Sequence, residues 1–122
     1  MRIAIVGGGL GGMAAAVGLQ AQGIAAEIFE QADTLTEVGA GVQISPNAIK
    51  ALDGIGVGPQ VRAAGNRRRE TFWLDMQSGE LLKNVRHDRE QERYGAPYIA
   101  FHRADLLAAL SGALDPARIH LG

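Results

Sequence analysis

The hydrophobic positions of this 122-residue chain change period several times, and each change marks an element. Ile3-Ala4-Ile5-Val6 is a continuous apolar run, as expected of a strand covered on both faces in a parallel sheet. Beyond a run of glycines, Leu10 to Gln22 carries Met13, Ala14, Ala16, Val17 and Leu19 at helical spacing, with Gly23 as its stop. Ile24 to Glu30 predicts a second strand, so residues 1–31 read as a βαβ unit. Gly39-Ala40-Gly41 predicts a turn into a short strand over Val42 to Ser45. Ser45 then reads as a helix N-cap with Pro46 at the first helical position. The helix covers Ala48 to Ile55, is ended by Gly54, Gly56, Gly58 and Pro59, and leaves one more turn over Gln60 to Ala64.

From Asn66 the period shortens. Thr71 to Leu74 and Leu81 to Val85 read as strands flanking a hairpin turn at Gln77-Ser78-Gly79-Glu80. Residues 86–93 are densely charged and read as a solvated loop. Tyr98 to His102 predicts a strand and Arg103 to Leu114 an amphipathic helix, with Asp105 well placed in its first turn. Arg118 to Leu121 opens another parallel strand. The order of elements is that of an α/β fold of Rossmann type with a hairpin excursion.

The chemistry concentrates in Gly7-Gly8-Gly9-Leu10-Gly11-Gly12, a match to the G-x-G-x-x-G dinucleotide fingerprint between a strand and a helix. Gly7 makes the tight turn, Gly9 lets the backbone approach a pyrophosphate, and Gly12 lets the helix pack closely on the strand. Leu10 and Gly11 fall in the first helical turn, where unpaired N–H groups and the positive dipole end face the phosphates. Glu30 stands 18 residues beyond Gly12, where the second strand ends. A carboxylate there accepts hydrogen bonds from ribose hydroxyls and repels a 2′-phosphate, which disfavours NADP at this site. A glycine turn without a ligand explains the glycines but leaves Glu30 unexplained.

Composition narrows the partners. A net charge of −1 gives no electrostatic footprint for nucleic acid or membrane. With no cysteine there is no disulfide or thiolate chemistry. His87, His102 and His120 have no ligand-like spacing, so no metal is expected. The N-terminus does not read as a signal peptide and no apolar run is long enough to span a bilayer, so a cytoplasmic soluble protein is expected. The excess of glycine, 17 residues concentrated before position 66, fits a nucleotide-binding half.

Three segments resemble the single-component FAD-dependent aromatic hydroxylases, in the branch of salicylate hydroxylase, 3-hydroxybenzoate 6-hydroxylase and 6-hydroxynicotinate 3-monooxygenase. They are Gly7 to Gly12 with Glu30, the stretch Glu37 to Ala48 with Ala51-Leu52, and Tyr94 to Tyr98 running into His102-Arg103-Ala104-Asp105-Leu106. The resemblance implies that Gly9, Gly12 and Glu30 hold the ADP half of FAD. It implies that Gly41, Val42 and Gln43 lie on the strand passing the flavin ring and ribityl chain. Arg103 falls where the family sets a basic residue near the cofactor phosphates, a role suited to a guanidinium fork.

The same resemblance divides the chain into an FAD-binding portion (1–65), the first strands of a substrate-covering sheet (66–102) and a return to the FAD-binding portion (103–122). Phe72 to Leu74, Leu81 to Val85 and Tyr98 to Phe101 would begin that sheet. Trp73, Tyr98 and His102 could face a substrate, but aromatic strand residues are more often core, and no catalytic residue is assigned. Arg67-Arg68-Arg69 could attract an anionic substrate or NADH; a solvated charge run at a strand edge is the simpler expectation. Family members run to several hundred residues, so the chain reads as an N-terminal piece of an incomplete domain, with the remainder of the enzyme as its partner and a homodimer as an option. The implied reaction is hydroxylation of a small aromatic acid with O₂, FAD and NADH or NADPH. Another FAD- or NAD-dependent oxidoreductase, or a non-catalytic nucleotide-binding module, remains open from the residues alone.

Overall fold

A computed structural model describes residues 3–35 and 40–122. The first strand, β1 (Ile3–Val6), leads through a glycine turn into α1 (Leu10–Ala21) and back to β2 (Ala26–Glu30). β1 and β2 pair in parallel, with Ile3 opposite Ala26 and Val6 opposite Phe29. α1 buries Met13, Ala16 and Val17, an i, i+3, i+4 set on one face. The helix stops earlier than the pattern predicts because Gly23 turns left-handed (φ +73°), its N–H donates to Gln20 O, and the Ile24 N–H donates to Leu19 O. That C-cap uses Ile24, so β2 starts at Ala26 instead.

The second unit begins with β3 (Gly41–Ile44), followed by α2 (Pro46–Gly54) and α3 (Gly58–Ala64). Ser45 is the N-cap of α2 with Pro46 following it, as expected, but its hydroxyl donates to Asn47 Oδ1 (2.5 Å) and caps no backbone N–H. Gly58 and Pro59, expected only to end a helix, instead start α3, where Pro is compatible with a first turn. Of the expected Gly39-Ala40-Gly41 turn, Gly39 lies outside the described residues, as do Glu37 and Val38 before it.

An extended run then splits in two: β4 (Asn66–Arg67) pairs antiparallel with β7 (Ile99–His102), whereas β5 (Glu70–Leu74) pairs with β6 (Leu81–Arg86). β7 also pairs antiparallel with β3, giving the order β3-β7-β4. The Tyr98–Phe101 segment, expected to share a sheet with the hairpin strands, therefore sits in a separate sheet joined to the hairpin through residues 68–69. The hairpin turn falls as predicted: Asp75 Oδ1 accepts from the Gln77 and Ser78 N–H groups, and Gly79 is left-handed.

α5 (Arg103–Ser111) follows β7 directly, and a 3₁₀ turn (Pro116–Arg118) leads to β8 (Ile119–Leu121), which pairs in parallel with β2. Beyond Ser111 the Ala113 and Leu114 N–H groups donate three residues back, so the predicted last helical turn tightens away from α geometry. Leu106, Leu107 and Leu110 of α5 meet Met13, Ala16 and Val17 of α1 in one core with Ile28, Ile49, Val61, Ile99 and Phe101.

Two expectations fail outside that core. Trp73 is 61% exposed, with Phe72, Leu74, Leu81 and Leu82 also exposed, so the outer part of the β5–β6 hairpin is not core among the described residues. Residues 86–93 are not simply a solvated loop. His87 is buried at 8% exposure, and Glu90–Tyr94 forms the short helix α4, closed by left-handed Gly95. A charged sequence hides a buried position when its one imidazole finds partners, as His87 does.

Candidate functional site

The glycine turn lies at the carboxyl ends of β1 and β2, where open α/β sheets place ligands. Gly7 has φ +103°, a value that favours glycine, and its N–H donates to Phe29 O (2.8 Å), pinning the turn to β2. Gly12 is required by packing: a Cβ there would overlap the Gly7 carbonyl oxygen and stand 3.3 Å from Ile5 Cγ2. Gly9 is the N-cap of α1, and a Cβ on Gly9 or Gly11 would meet nothing within 4 Å. The backbone is thus approachable on the side of Gly9 and Gly11 and closed on that of Gly12. Leu10, by contrast, is turned toward the core and packs against it.

Glu30 clasps this turn. Its Oε2 accepts from the Gly8 N–H (2.6 Å) and its Oε1 from the Ala32 N–H (2.9 Å). These amides, Ala32 first and Gly8 next, hold the carboxyl below its usual range and keep it ionised. Each carboxylate oxygen has a further acceptor site, so the clasp leaves capacity for hydroxyl donors. The close approach makes Gly8 a further constrained glycine: its Cβ would stand 3.0 Å from Glu30 Cβ.

Gly8, Gly9 and Glu30 line a cleft of about 160 Å³ with Ala32, Thr34, Leu35 and Leu107. Sequence reasoning passed over Gly8, Ala32, Thr34, Leu35 and Leu107. The available signal for three of them was position, since Ala32, Thr34 and Leu35 directly follow the carboxyl end of β2. Leu107 carried none, because its approach depends on the packing of α5 against α1.

Arg103 opens α5 four residues before Leu107, so the two share one helix face and Arg103 lies a turn from the cleft wall. Its side chain is exposed, and its N–H donates to Ala40 O (3.2 Å), tying the start of α5 to the entry of β3. Gly41, Val42 and Gln43 lie on β3 opposite His102, Phe101 and Ala100 and do not line the glycine cleft. The structure therefore brings Gly8, Gly9 and Glu30 together, sets Arg103 one helical turn before Leu107 of the cleft wall, and places Gly41–Gln43 on a strand of the separate β3-β7-β4 sheet. Of the aromatic candidates, His102 and Trp73 are exposed, while Tyr98 is half-buried and donates its hydroxyl to Gln43 Oε1 (2.9 Å). Among the described residues no group of three or more His, Asp or Glu side chains could hold a metal ion.

An open glycine backbone at a helix N-terminus, bordered by an ionised carboxylate, suits a dinucleotide with vicinal ribose hydroxyls. Comparison with known proteins agrees. The chain is 40% identical over 125 residues to 3-amino-4-hydroxybenzoate 2-monooxygenase of Streptomyces cremeus, covering all of this chain and 31% of that protein. It is 40% identical over 104 residues to 3-hydroxybenzoate 6-hydroxylase 1 of Aquipseudomonas alcaligenes, covering 84% of this chain and 26% of that one. In three dimensions it matches Klebsiella pneumoniae HpxO, solved with FAD and uric acid, at a TM-score of 0.87 and 26% identity, over all of this chain and 31% of that one. The chain thus spans under a third of the length of these proteins. Residues 1–112 match the FAD binding domain family, and the chain belongs to that family.

Proposed function

We propose that this chain is the N-terminal FAD-binding portion of a flavin-dependent monooxygenase that hydroxylates a small aromatic acid with NAD(P)H and O₂. The observation that carries the reading is the clasp between Glu30 and the Gly8 amide. It fixes an ionised acceptor against an open glycine turn, a pairing of backbone amides and carboxylate that suits a pyrophosphate and an adenosine ribose. In this reading Gly7, Gly9 and Gly12 shape the turn, and the first-turn amides at Leu10 and Gly11 face the phosphates. Arg103 supplies the phosphate cation, and Gly41, Val42 and Gln43 form the strand beside the ring system.

FAD, when bound, supplies the redox and oxygen chemistry that no side chain can. The chain's own residues bind and orient it: a backbone cradle for the phosphates, Glu30 for the ribose, and the β3–β7 pair as a rigid wall. The negative charge of Glu30 disfavours a 2′-phosphate at this site. The division into residues 1–65, 66–102 and 103–122, completion of the enzyme by further polypeptide, a cytoplasmic setting and a homodimer belong to the same proposal. Support for the hydroxylase chemistry comes from relatives with monooxygenase and hydroxylase names.

The test is FAD retention in the full-length protein. Glu30→Ala should weaken it without unfolding the protein, and Arg103→Ala should weaken it more than Arg68→Ala. Equal FAD affinity in wild type and Glu30→Ala would remove Glu30 from the site, and the reverse order of the two arginines would remove Arg103.

A further inference from the structure

Away from the glycine turn, the described residues include one buried charged or polar side chain, His87. Its Nδ1 lies 2.8 Å from Glu90 Oε1 and its Nε2 lies 2.9 Å from Thr71 Oγ1. Arg68 Nη2 donates to the same hydroxyl (3.1 Å). A carboxylate only accepts, so Nδ1 carries a proton, and in the neutral ring the Thr71 hydroxyl accepts from Arg68 and donates to Nε2. Both ring nitrogens are thus held. The imidazole is a fixed platform for Tyr98, whose ring stacks on it with centroids 4.6 Å apart and planes 19° off parallel.

Tyr98 carries that anchoring to β3. Val42 and Ile44 of β3 pack on the core with Ile99 and Phe101 of β7, so the alternate positions, Gly41, Gln43 and Ala100, turn to the other face of the sheet. Tyr98 stands two positions before Ala100, the residue opposite Gln43, and so meets Gln43 diagonally on that face. Its hydroxyl donates to Gln43 Oε1 (2.9 Å). The Gln43 carboxamide is therefore held by its oxygen, and its Nε2 has no hydrogen-bond partner among the described residues. Gln43 is exposed, and Gly41 and Ala100 beside it are too small to cover it. A run of contacts from a buried imidazole ends in an oriented, unused N–H donor on an open sheet face.

We infer that Gln43 Nε2 is a hydrogen-bond donor to the FAD ring system, and that Tyr98 and His87 are positioning residues for it. This rests on the reading of β3 as the strand beside the ring, while the donor and its anchoring come from contacts within the chain. A fixed N–H donor beside a ring that gains electrons favours the reduced ring, so the contact raises the reduction potential.

The experiment measures FAD content, FAD reduction potential and thermal midpoint on the same samples of full-length protein. Gln43→Leu should lower the potential by about 30 mV, a roughly tenfold shift toward the oxidised form for a two-electron couple. Tyr98→Phe keeps the stacked ring and loses only the hydroxyl. It should lower the potential too, and combined with Gln43→Leu it should go no lower than Gln43→Leu alone. His87→Gln, which removes the ring under Tyr98, should do as Tyr98→Phe does, whereas a merely structural His87 would lower the midpoint and leave the potential unmoved. His87→Phe, a ring without the Thr71 and Glu90 anchors, makes the same test should His87→Gln not fold. Lys83→Met, on the hairpin, should leave the potential unchanged. A shift in Gln43→Leu without one in Tyr98→Phe removes Tyr98 and His87 as positioning residues. Wild-type potentials in FAD-loaded Gln43→Leu and Tyr98→Phe overturn the inference and leave the monooxygenase reading standing. A full-length wild type that holds no FAD overturns both.

Discussion

Gly12 offers the most direct test of how the glycine turn is built. An added Cβ would overlap the Gly7 carbonyl oxygen, sit 3.1 Å from Gly7 C and 3.3 Å from Ile5 Cγ2. Backbone and a strand side chain surround it, so α1 itself has to move off β1, carrying Met13, Ala16 and Val17 with it. Overpacking of this kind costs about 1–3 kcal/mol. Gly11, one residue earlier in the same helical turn, has open space around its Cβ position. Replacing either glycine by Ala brings a helix-propensity gain of up to about 1 kcal/mol, so the gain largely cancels between the two variants. The difference between Gly12→Ala and Gly11→Ala is then the overpacking cost, which at roughly 4 °C per kcal/mol separates their midpoints by about 4–12 °C. Thermal unfolding followed by circular dichroism, without added nucleotide, measures it. Coincident midpoints would refute the close-packing role of Gly12.

Three more predictions concern the clasp, the core and the hairpin. Because its carboxyl is held below its ordinary value of 4.5, Glu30 contributes stability that is fully present above that value and lost as pH falls through the lowered one; the stability gap between wild type and Glu30→Gln, measured by urea unfolding, should therefore close between neutral and strongly acidic pH, and a gap independent of pH would contradict the clasp. Gly65→Ala should destabilise by about 1–3 kcal/mol, since its Cβ would stand 2.5 Å from Ile99 Cγ2 and 2.7 Å from Phe101 Cδ1, whereas Gly54→Ala, in open space at the end of α2, should not; equal urea midpoints would contradict the packing at Gly65. Trp73→Ser should change the stability of the 122-residue chain by less than about 0.5 kcal/mol, and a larger loss on urea unfolding would mean the hairpin face is covered.

What the sequence made legible was whatever local chemistry determines. The β1–α1–β2 unit, the Ser45-Pro46 helix entry and the Asp75–Gly79 hairpin turn each follow from short-range signals, and the structure places them close to expectation. Glu30 was legible because its spacing from the glycines is itself a signal. Its bond to the Gly8 amide was not, because that depends on how the two strand ends meet. The same limit explains the misses. Trp73 looked like core because an aromatic strand residue usually has a layer over it, and the strand pattern carries no information about what packs on the hairpin. His87 disappeared in a run of charges, since its burial depends on Thr71 of β5 and on Tyr98, just ahead of β7. Leu107 joined the cleft only through the contact between α5 and α1. Long-range packing, not local propensity, decides each of these.

The central claim is that this fold holds FAD. Its most direct test is to purify the full-length protein, denature it, and identify any released nucleotide by chromatography and absorbance. The account predicts FAD. Release of NAD instead would contradict it and assign the glycine turn and Glu30 to a dehydrogenase.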